Sequence, residues 1–167
     1  QISIAVFFIS VFSGLIISIE GYFFLLLGAL LAQLSSILDG CDGEIARLKL
    51  LESKFGGWFD RVLDRYSDLF IFTGLTFHTY FIHKTLTVFF IGFIAVGGKI
   101  ISSYTAFVYD TVVSAHNNFR IGRDLIIFII LIGAVLNIPY ITLVVLAFIM
   151  NADICKRLWI LKDKLDD

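Results

Sequence analysis

Six long apolar segments, joined by short polar stretches, follow one another along this chain. An α-helix needs about 20 apolar residues to cross the hydrocarbon core of a bilayer, and most of these segments come close to that length. We therefore predict an all-α integral membrane protein with six transmembrane helices, in a single domain over residues 1–167. The segments cover about residues 1–18, 22–38, 58–78, 84–108, 123–136 and 140–160.

The overall composition agrees with a membrane protein. Hydrophobic residues make up 59% of the chain and charged residues 16%, whereas a soluble domain is roughly half apolar and a quarter charged. The net charge is −1. A nucleic-acid-binding domain is usually strongly basic, so we expect no nucleic-acid partner.

The chain begins at Gln1, already inside the first apolar segment. That segment has neither the basic start nor the cleavage site of a signal peptide. We therefore expect that an N-terminal part of the full protein precedes Gln1.

Positive charges are concentrated on one side of the predicted bundle. With six spans, the connections 39–57 and 109–122 and the C-terminus share a side, and nearly all lysines and arginines lie there; Lys84 lies on the other side. Because cytoplasmic loops carry the excess of Lys and Arg, we predict that the 39–57 connection faces the cytoplasm.

Four aspartates flank this cytoplasmic connection at helical spacing. Asp39 and Asp42 are three residues apart, and Asp60 and Asp64 are four apart, so each pair shares one face of a helix. A pair of helices would bring the four carboxylates together, where they repel one another unless cations lie between them. Hard divalent cations prefer oxygen ligands, and two such ions form a clamp for phosphoryl transfer. We therefore predict a metal site at the cytoplasmic ends of helices 2 and 3.

Two other interpretations of the aspartates are open at this stage. Asp60 or Asp64 could form salt bridges with Arg47, Arg61 or Arg65, because structural ion pairs also occur at such positions. The chain could instead be a divalent-cation transporter, which would place acidic residues at several depths along a path. The clustering at one end, beside an arginine and glycines, favours an enzyme site for a nucleotide.

The aspartates belong to a longer pattern with eight fixed positions: Asp39-x2-Asp42-Gly43-x2-Ala46-Arg47-x8-Gly56-x3-Asp60-x3-Asp64. This pattern resembles the complete signature of the CDP-alcohol phosphotransferase (CDP-alcohol phosphatidyltransferase) family. The resemblance implies transfer of a substituted phosphate from a CDP-alcohol to an acceptor hydroxyl, with release of CMP. It also implies a six-helix membrane fold and a homodimer.

The resemblance assigns roles to the four aspartates. Asp39, Asp42 and Asp60 would hold two Mg²⁺ or Mn²⁺ ions against the pyrophosphate of the donor. Asp64 would help hold the second ion and act as the catalytic general base on the acceptor hydroxyl. A carboxylate can take that proton when it lies within hydrogen-bond reach.

The remaining signature residues suit the CDP moiety. Gly43, Ala46 and Gly56 are small, so a ligand can approach the backbone closely, although small residues also serve helix packing. Arg47 can form a bidentate contact with a phosphate, or it can be a surface charge. The resemblance implies that these four residues bind the cytidine nucleotide and its phosphates.

A second group of cations is predicted near the same side. Lys99 lies in the fourth segment, while Arg120 and Arg123 are three residues apart at the start of the fifth. A helix N-terminus favours anions, so we predict that these residues bind a phosphorylated polyol acceptor. Contact of Arg120 and Arg123 with membrane lipid headgroups is the alternative.

The stretch ESKFGGWFDRVLDRYSD resembles one branch of the family, the di-myo-inositol-phosphate phosphate synthases of archaea and thermophiles. That branch implies CDP-inositol as donor, inositol 1-phosphate as acceptor, and a fused or partner cytidylyltransferase. A phospholipid synthase of the phosphatidylinositol-phosphate or phosphatidylglycerophosphate type, using CDP-diacylglycerol, is the alternative. The cationic group does not separate these two, because the acceptor can be the same.

Overall fold

The computed structural model describes residues 2–48, 54–112 and 122–165, and all regular structure within them is helical. The prediction of six helices in an all-α protein is therefore confirmed for these parts of the chain. The helices are α1 (Ile2–Ile17), α2 (Tyr22–Leu48), α3 (Lys54–His83), α4 (Leu86–Val112), α5 (Arg123–Val135) and α6 (Pro139–Leu165).

The helices extend beyond the apolar segments on the side of the aspartates. Helix α2 continues past the apolar segment to Leu48, and α3 already begins at Lys54. Backbone hydrogen bonds within a helix do not require an apolar surrounding, so a helix can continue where the side chains become polar. Asp39 and Asp60 therefore lie on helical turns, as their spacing predicts.

The surface and the interior have the polarity expected of a protein surrounded by lipid. Phe93 and Phe148 are 79% and 74% exposed, while the Ser10 hydroxyl in α1 donates a buried 2.9 Å hydrogen bond to the Ser35 hydroxyl in α2. Small and polar residues at helix contacts are typical of packing in membranes, where burying apolar surface gives no advantage.

Two helical segments, Tyr22–Cys41 and Leu86–Ala106, are long and apolar enough to cross a membrane, and Ser3–Ile17 is a shorter apolar helix. Helix α5 has 13 residues, which corresponds to a length of about 20 Å. Helix α3 begins with charged turns. A crossing by each of the six helices therefore stays a prediction.

Helix α1 lies between the two helices that carry the aspartates. It packs against both α2 and α3, which have little direct contact with each other, while α5 packs against α2 and α4 against α6 and α3. A Cβ added at Gly14 would lie 2.6 Å from the backbone carbonyl of Phe70. Such close approach of α1 and α3 requires glycine at this position.

The turn between α5 and α6 follows from its local sequence. Asn137 has a φ of 54°, and the backbone N–H groups of Asn137 and Ile138 donate to the carbonyls of Ala134 and Gly133. This is the Schellman arrangement at a helix C-terminus. Pro139 then begins α6, because its fixed φ suits the first position of a helix.

Candidate active site

Three of the predicted metal-binding aspartates line one small open cleft. Asp39 reaches it from α2, and Asp60 and Asp64 reach it from successive turns of α3. The first turns of α1 complete the wall. The full lining of this cleft is Ser3, Val6, Phe7, Asp39, Asp60, Leu63, Asp64, Ser67 and Arg123.

Arg123 connects the two aspartate-bearing helices. Its Nη1 lies 2.6 Å from Asp64 Oδ1 and 3.2 Å from Asp39 Oδ2, and its side chain is only 11% exposed. One guanidinium at the start of α5 thus neutralises carboxylates from α2 and α3. The sequence predicted Arg123 for an acceptor phosphate, and in this structure it lies among the aspartates.

Asp64 also lies near a second arginine. Arg65 Nη2 is 3.8 Å from Asp64 Oδ2, so the salt-bridge interpretation is confirmed for this carboxylate. The same carboxylate faces the cleft. Ion pairing and access to a ligand therefore coexist at Asp64.

Asp68, one turn deeper in α3, forms ion pairs with cations from three helices. It is 3% exposed, and its Oδ1 lies 3.3 Å from Arg123 Nε while its Oδ2 lies 3.4 Å from Lys99 Nζ. Arg65 Nη2 approaches the same carboxylate at 4.0 Å. The two described residues of the predicted acceptor group, Lys99 and Arg123, are thus brought together through Asp68.

Some donors of this cationic group are left without a hydrogen-bond acceptor. Among the described residues, Arg123 Nη2 and Arg65 Nε are buried and have no hydrogen-bond partner. A buried donor without an acceptor costs about 1–3 kcal/mol. An anionic ligand that supplies acceptor oxygens here would remove that cost.

The position of α5 depends on residues that sequence reasoning did not select. The Ser36 hydroxyl in α2 donates a 2.5 Å hydrogen bond to Asp124 Oδ1, which fixes the start of α5 beside α2. Ser36 lies three residues before Asp39 and so shares its helix face. An acidic residue in the first turn of a helix, such as Asp124, is favoured by the helix dipole.

Several predicted site residues lie partly or wholly outside the described part of the chain. The backbone positions of Asp42, Gly43, Ala46 and Arg47 lie in α2, but their side chains are outside the described part of the chain. Arg120 falls wholly outside it. Gly56 lies in the first turn of α3 and is half-buried.

The donor set of the cleft suits a hard divalent cation. Asp39, Asp60 and Asp64 offer carboxylate oxygens, which Mg²⁺ and related ions prefer. Within residues 2–48, 54–112 and 122–165, however, no three His, Cys, Asp or Glu side chains are arranged around a common metal position. The guanidinium of Arg123 lies between Asp39 and Asp64, which explains why these carboxylates do not converge on one point.

A second buried ion pair lies within α6, on the side that packs against α4, and its residues are not those of the cleft. Arg157 pairs with Asp153 on the preceding turn of α6 and donates hydrogen bonds to the backbone carbonyl and hydroxyl of Ser102. Asp153 and Arg157 are satisfied by each other and by α4, so we assign them a structural role.

The sequence profile of the CDP-alcohol phosphatidyltransferase family matches residues 2–155. The chain belongs to this family. Members of the family are membrane-bound and generally use divalent metal ions.

The relatives that resemble this chain include several members of one branch of the family. The chain is 39% identical over 145 residues to a protein of Archaeoglobus fulgidus and 34% identical over 140 residues to one of Rubrobacter xylanophilus, both named bifunctional IPC transferase and DIPP synthase. These matches cover 82% and 81% of this chain but 28% and 31% of the relatives. A shorter match, 42% over 52 residues, covers 31% of the chain and 27% of an archaetidylinositol phosphate synthase of Methanothermobacter thermautotrophicus. The chain thus spans less than a third of the length of these relatives.

Proposed function

We propose that this chain transfers a substituted phosphate from CDP-inositol to a hydroxyl of inositol 1-phosphate and releases CMP. The observation that carries the proposal is the cleft in which Asp39, Asp60 and Asp64 meet Arg123, in a chain of the CDP-alcohol phosphatidyltransferase family. The names of the relatives from A. fulgidus and R. xylanophilus support this branch of the family.

The aspartates have two roles in this proposal. Asp39, Asp42, Asp60 and Asp64 hold two Mg²⁺ or Mn²⁺ ions, which when bound neutralise charge on the transferred phosphate. Asp64 additionally accepts the proton of the acceptor hydroxyl. The support is that Asp64 borders the open cleft and shares it with Asp39 and Asp60.

The reaction is a displacement at phosphorus. The acceptor oxygen forms a bond to the phosphorus that carries the alcohol of the donor, and the bond from that phosphorus to the bridging oxygen breaks. CMP leaves with the bridging oxygen, and the proton of the attacking hydroxyl passes to Asp64. Fixed charges around the site stabilise the negative charge that develops on the phosphate oxygens.

The two substrates bind on different sides of the aspartates. Gly43, Ala46 and Gly56 leave room for the cytidine nucleotide, and Arg47 binds its phosphates, as the signature implies. Lys99, Arg120 and Arg123 bind the phosphate of the acceptor; of these, Lys99 and Arg123 share Asp68. The unpaired donor at Arg123 Nη2 supports an anion at this position.

The proposal includes the placement of the chain in the membrane. Six helices cross the bilayer, and the cleft opens toward the cytoplasm, where soluble CDP-inositol is available. The excess of lysine and arginine on the side of the cleft supports this orientation. Homodimerisation and a fused or partner cytidylyltransferase follow from the family resemblance.

The test is release of CMP by purified protein in detergent with Mg²⁺. CDP-inositol plus inositol 1-phosphate is compared with CDP-diacylglycerol plus the same acceptor, and Asp60→Ala is the control for contaminating activity. CMP release with the soluble donor, lost in the variant, supports the proposal. Release with the lipid donor alone would make the protein a phospholipid synthase, which the name of the M. thermautotrophicus relative favours. Absence of CMP with both donors would contradict the proposed substrates.

A further inference from the structure

We propose that Arg123 couples metal binding to acceptor binding. When Asp39 and Asp64 bind no metal, the guanidinium of Arg123 is their counter-cation. Divalent ions bound to Asp39 and Asp64 displace the guanidinium, which then contacts the phosphate of the acceptor. The inference rests on the proposed function, because it uses the same aspartates and the same phosphorylated acceptor. It adds an order to the two binding events.

The first step is competition for the same oxygens. Arg123 Nη1 contacts Asp64 Oδ1 at 2.6 Å and Asp39 Oδ2 at 3.2 Å, and both carboxylates belong to the proposed metal site. A divalent cation bound to these groups would stand a few ångströms from the guanidinium. Like charges at that distance repel, and more strongly where the charged group is largely buried, as Arg123 is, so the Nη1 contacts and a bound metal exclude each other.

The second step is retention of Arg123 by Asp68. Arg123 Nε pairs with Asp68 Oδ1 at 3.3 Å, and Asp68 lies one turn below Asp64 and outside the proposed ligand set. This contact does not involve the terminal Nη1. The guanidinium can therefore turn away from Asp39 and Asp64 while Asp68 keeps it next to Lys99, so Asp68 is a positioning residue.

The third step is the balance of charge around Asp68. In the described residues, three carboxylates face three cations here: Asp39, Asp64 and Asp68 against Arg65, Lys99 and Arg123. When divalent ions occupy Asp39 and Asp64, the three cations keep Asp68 and the neighbouring Asp124, in the first turn of α5, as the nearest other carboxylates. The group then carries an excess of positive charge together with unpaired donors at Arg123 Nη2 and Arg65 Nε.

The consequence is that the metal-loaded protein binds a phosphate more tightly than the metal-free protein. By thermodynamic linkage the phosphate then strengthens metal binding by the same factor. Arg123 thereby opposes acceptor binding until the metal site is filled.

The test measures Mn²⁺ affinity by the electron paramagnetic resonance signal of free Mn²⁺, with purified protein in detergent. Arg123→Gln removes the competing cation, so we expect the Kd for Mn²⁺ to fall by about fivefold or more, the lower end of typical coupling between sites. Lys99→Met is the matched control. It removes a positive charge from the same group, but Lys99 pairs with Asp68, so we expect a change within about twofold.

A second measurement follows inorganic phosphate as the probe. Mn²⁺ should tighten phosphate binding to the wild type by about fivefold or more, and by less than about twofold in Arg123→Gln. If Arg123→Gln does not fold, Arg123→Lys replaces it. Lysine keeps the charge, but its ammonium is more strongly hydrated than a guanidinium and lacks the Nε that pairs with Asp68, so an effect of the same sign and smaller size is expected.

The outcomes separate this inference from the proposed function. Mn²⁺ binding that is lost in Asp60→Ala but no tighter in Arg123→Gln, with both variants folded, would overturn the coupling and leave the metal site standing. Equal tightening in Lys99→Met would reduce the effect to general electrostatics and would also overturn it. Absence of Mn²⁺ binding to the wild type would overturn both proposals.

Discussion

Asp68 illustrates how far single residues could be interpreted from the sequence. Its position one turn beyond Asp64 is evident from the spacing, but the spacing does not identify the cations that pair with it. The structure shows that each carboxylate oxygen faces a different cation, Lys99 at 3.4 Å and Arg123 at 3.3 Å. Arg123 lies 59 residues from Asp64 along the chain. Such long-range pairing leaves no local pattern in a sequence.

Asp64→Asn tests the proposed base at this scale. Asparagine keeps the shape and one oxygen of the side chain but cannot accept the proton, so we expect kcat to fall by about 10²- to 10⁴-fold. Metal-dependent binding of CDP should be impaired less than in Asp60→Ala, because Asp64 contributes only to the second metal. Unchanged kcat would remove Asp64 from the base role.

Asp68→Asn tests the positioning role through a split between kinetic parameters. Loss of the charge loosens Lys99 and Arg123, so the KM for inositol 1-phosphate should rise by about tenfold, which is 1.4 kcal/mol. The KM for CDP-inositol should stay within about twofold. Asp153→Asn is the control, because Asp153 is also ion-paired and lies in α6. A rise in both KM values would argue for a general structural role.

The helices themselves were more predictable than their neighbours in space. The apolar segments and the i, i+3 and i, i+4 spacings predicted α2 and α3 and their charged extensions, because these signals are local. The position of α1 between α2 and α3 was not foreseen. It depends on glycine contacts such as that of Gly14 with Phe70, whose partners the sequence does not identify.

Gly14→Ala tests that contact. A methyl group at this position would lie 2.6 Å from the backbone of Phe70, so α1 and α3 must move apart, at a cost of about 1–3 kcal/mol. A lowered melting temperature in detergent is expected. Gly97→Ala in α4 is the matched control, because an added Cβ there meets no atom within 4 Å. Equal melting temperatures of the two variants would contradict the tight α1–α3 contact.

At the scale of the whole molecule, polarity gives the clearest signal. Exposed Phe93 and Phe148 and buried serines agree with the apolar composition, and the family is membrane-bound. Within the described parts of the chain, two segments are long and apolar enough to cross a membrane. The number of crossings stays a prediction. The charged turns of α3 and the short length of α5 make these two helices less typical of membrane spans.

Labelling of single cysteines tests the orientation. Cys41 is exposed and free, and the six-span arrangement places it on the cytoplasmic side with the cleft. In a Cys155→Ser background, a membrane-impermeant maleimide should label Cys41 from the cytoplasmic face. With Cys41→Ser and Lys84→Cys added, labelling should occur from the opposite face. Labelling of both positions from one face would contradict the proposed topology.

The central claim is that Asp39, Asp42, Asp60 and Asp64, in α2 and α3, bind a nucleoside diphosphate through divalent ions. The most direct measurement is equilibrium binding of CDP to wild type and Asp60→Ala, with Mg²⁺ or with a chelator, and with Glu20→Ala, which removes an exposed carboxylate between α1 and α2, as the folded control. We predict that CDP binds only with Mg²⁺. In Asp60→Ala we expect the affinity for CDP to fall by at least ~10- to 100-fold, which is the effect of removing a residue that only supports a metal ligand. Equal CDP binding without the divalent ion, or in folded Asp60→Ala, would contradict the account.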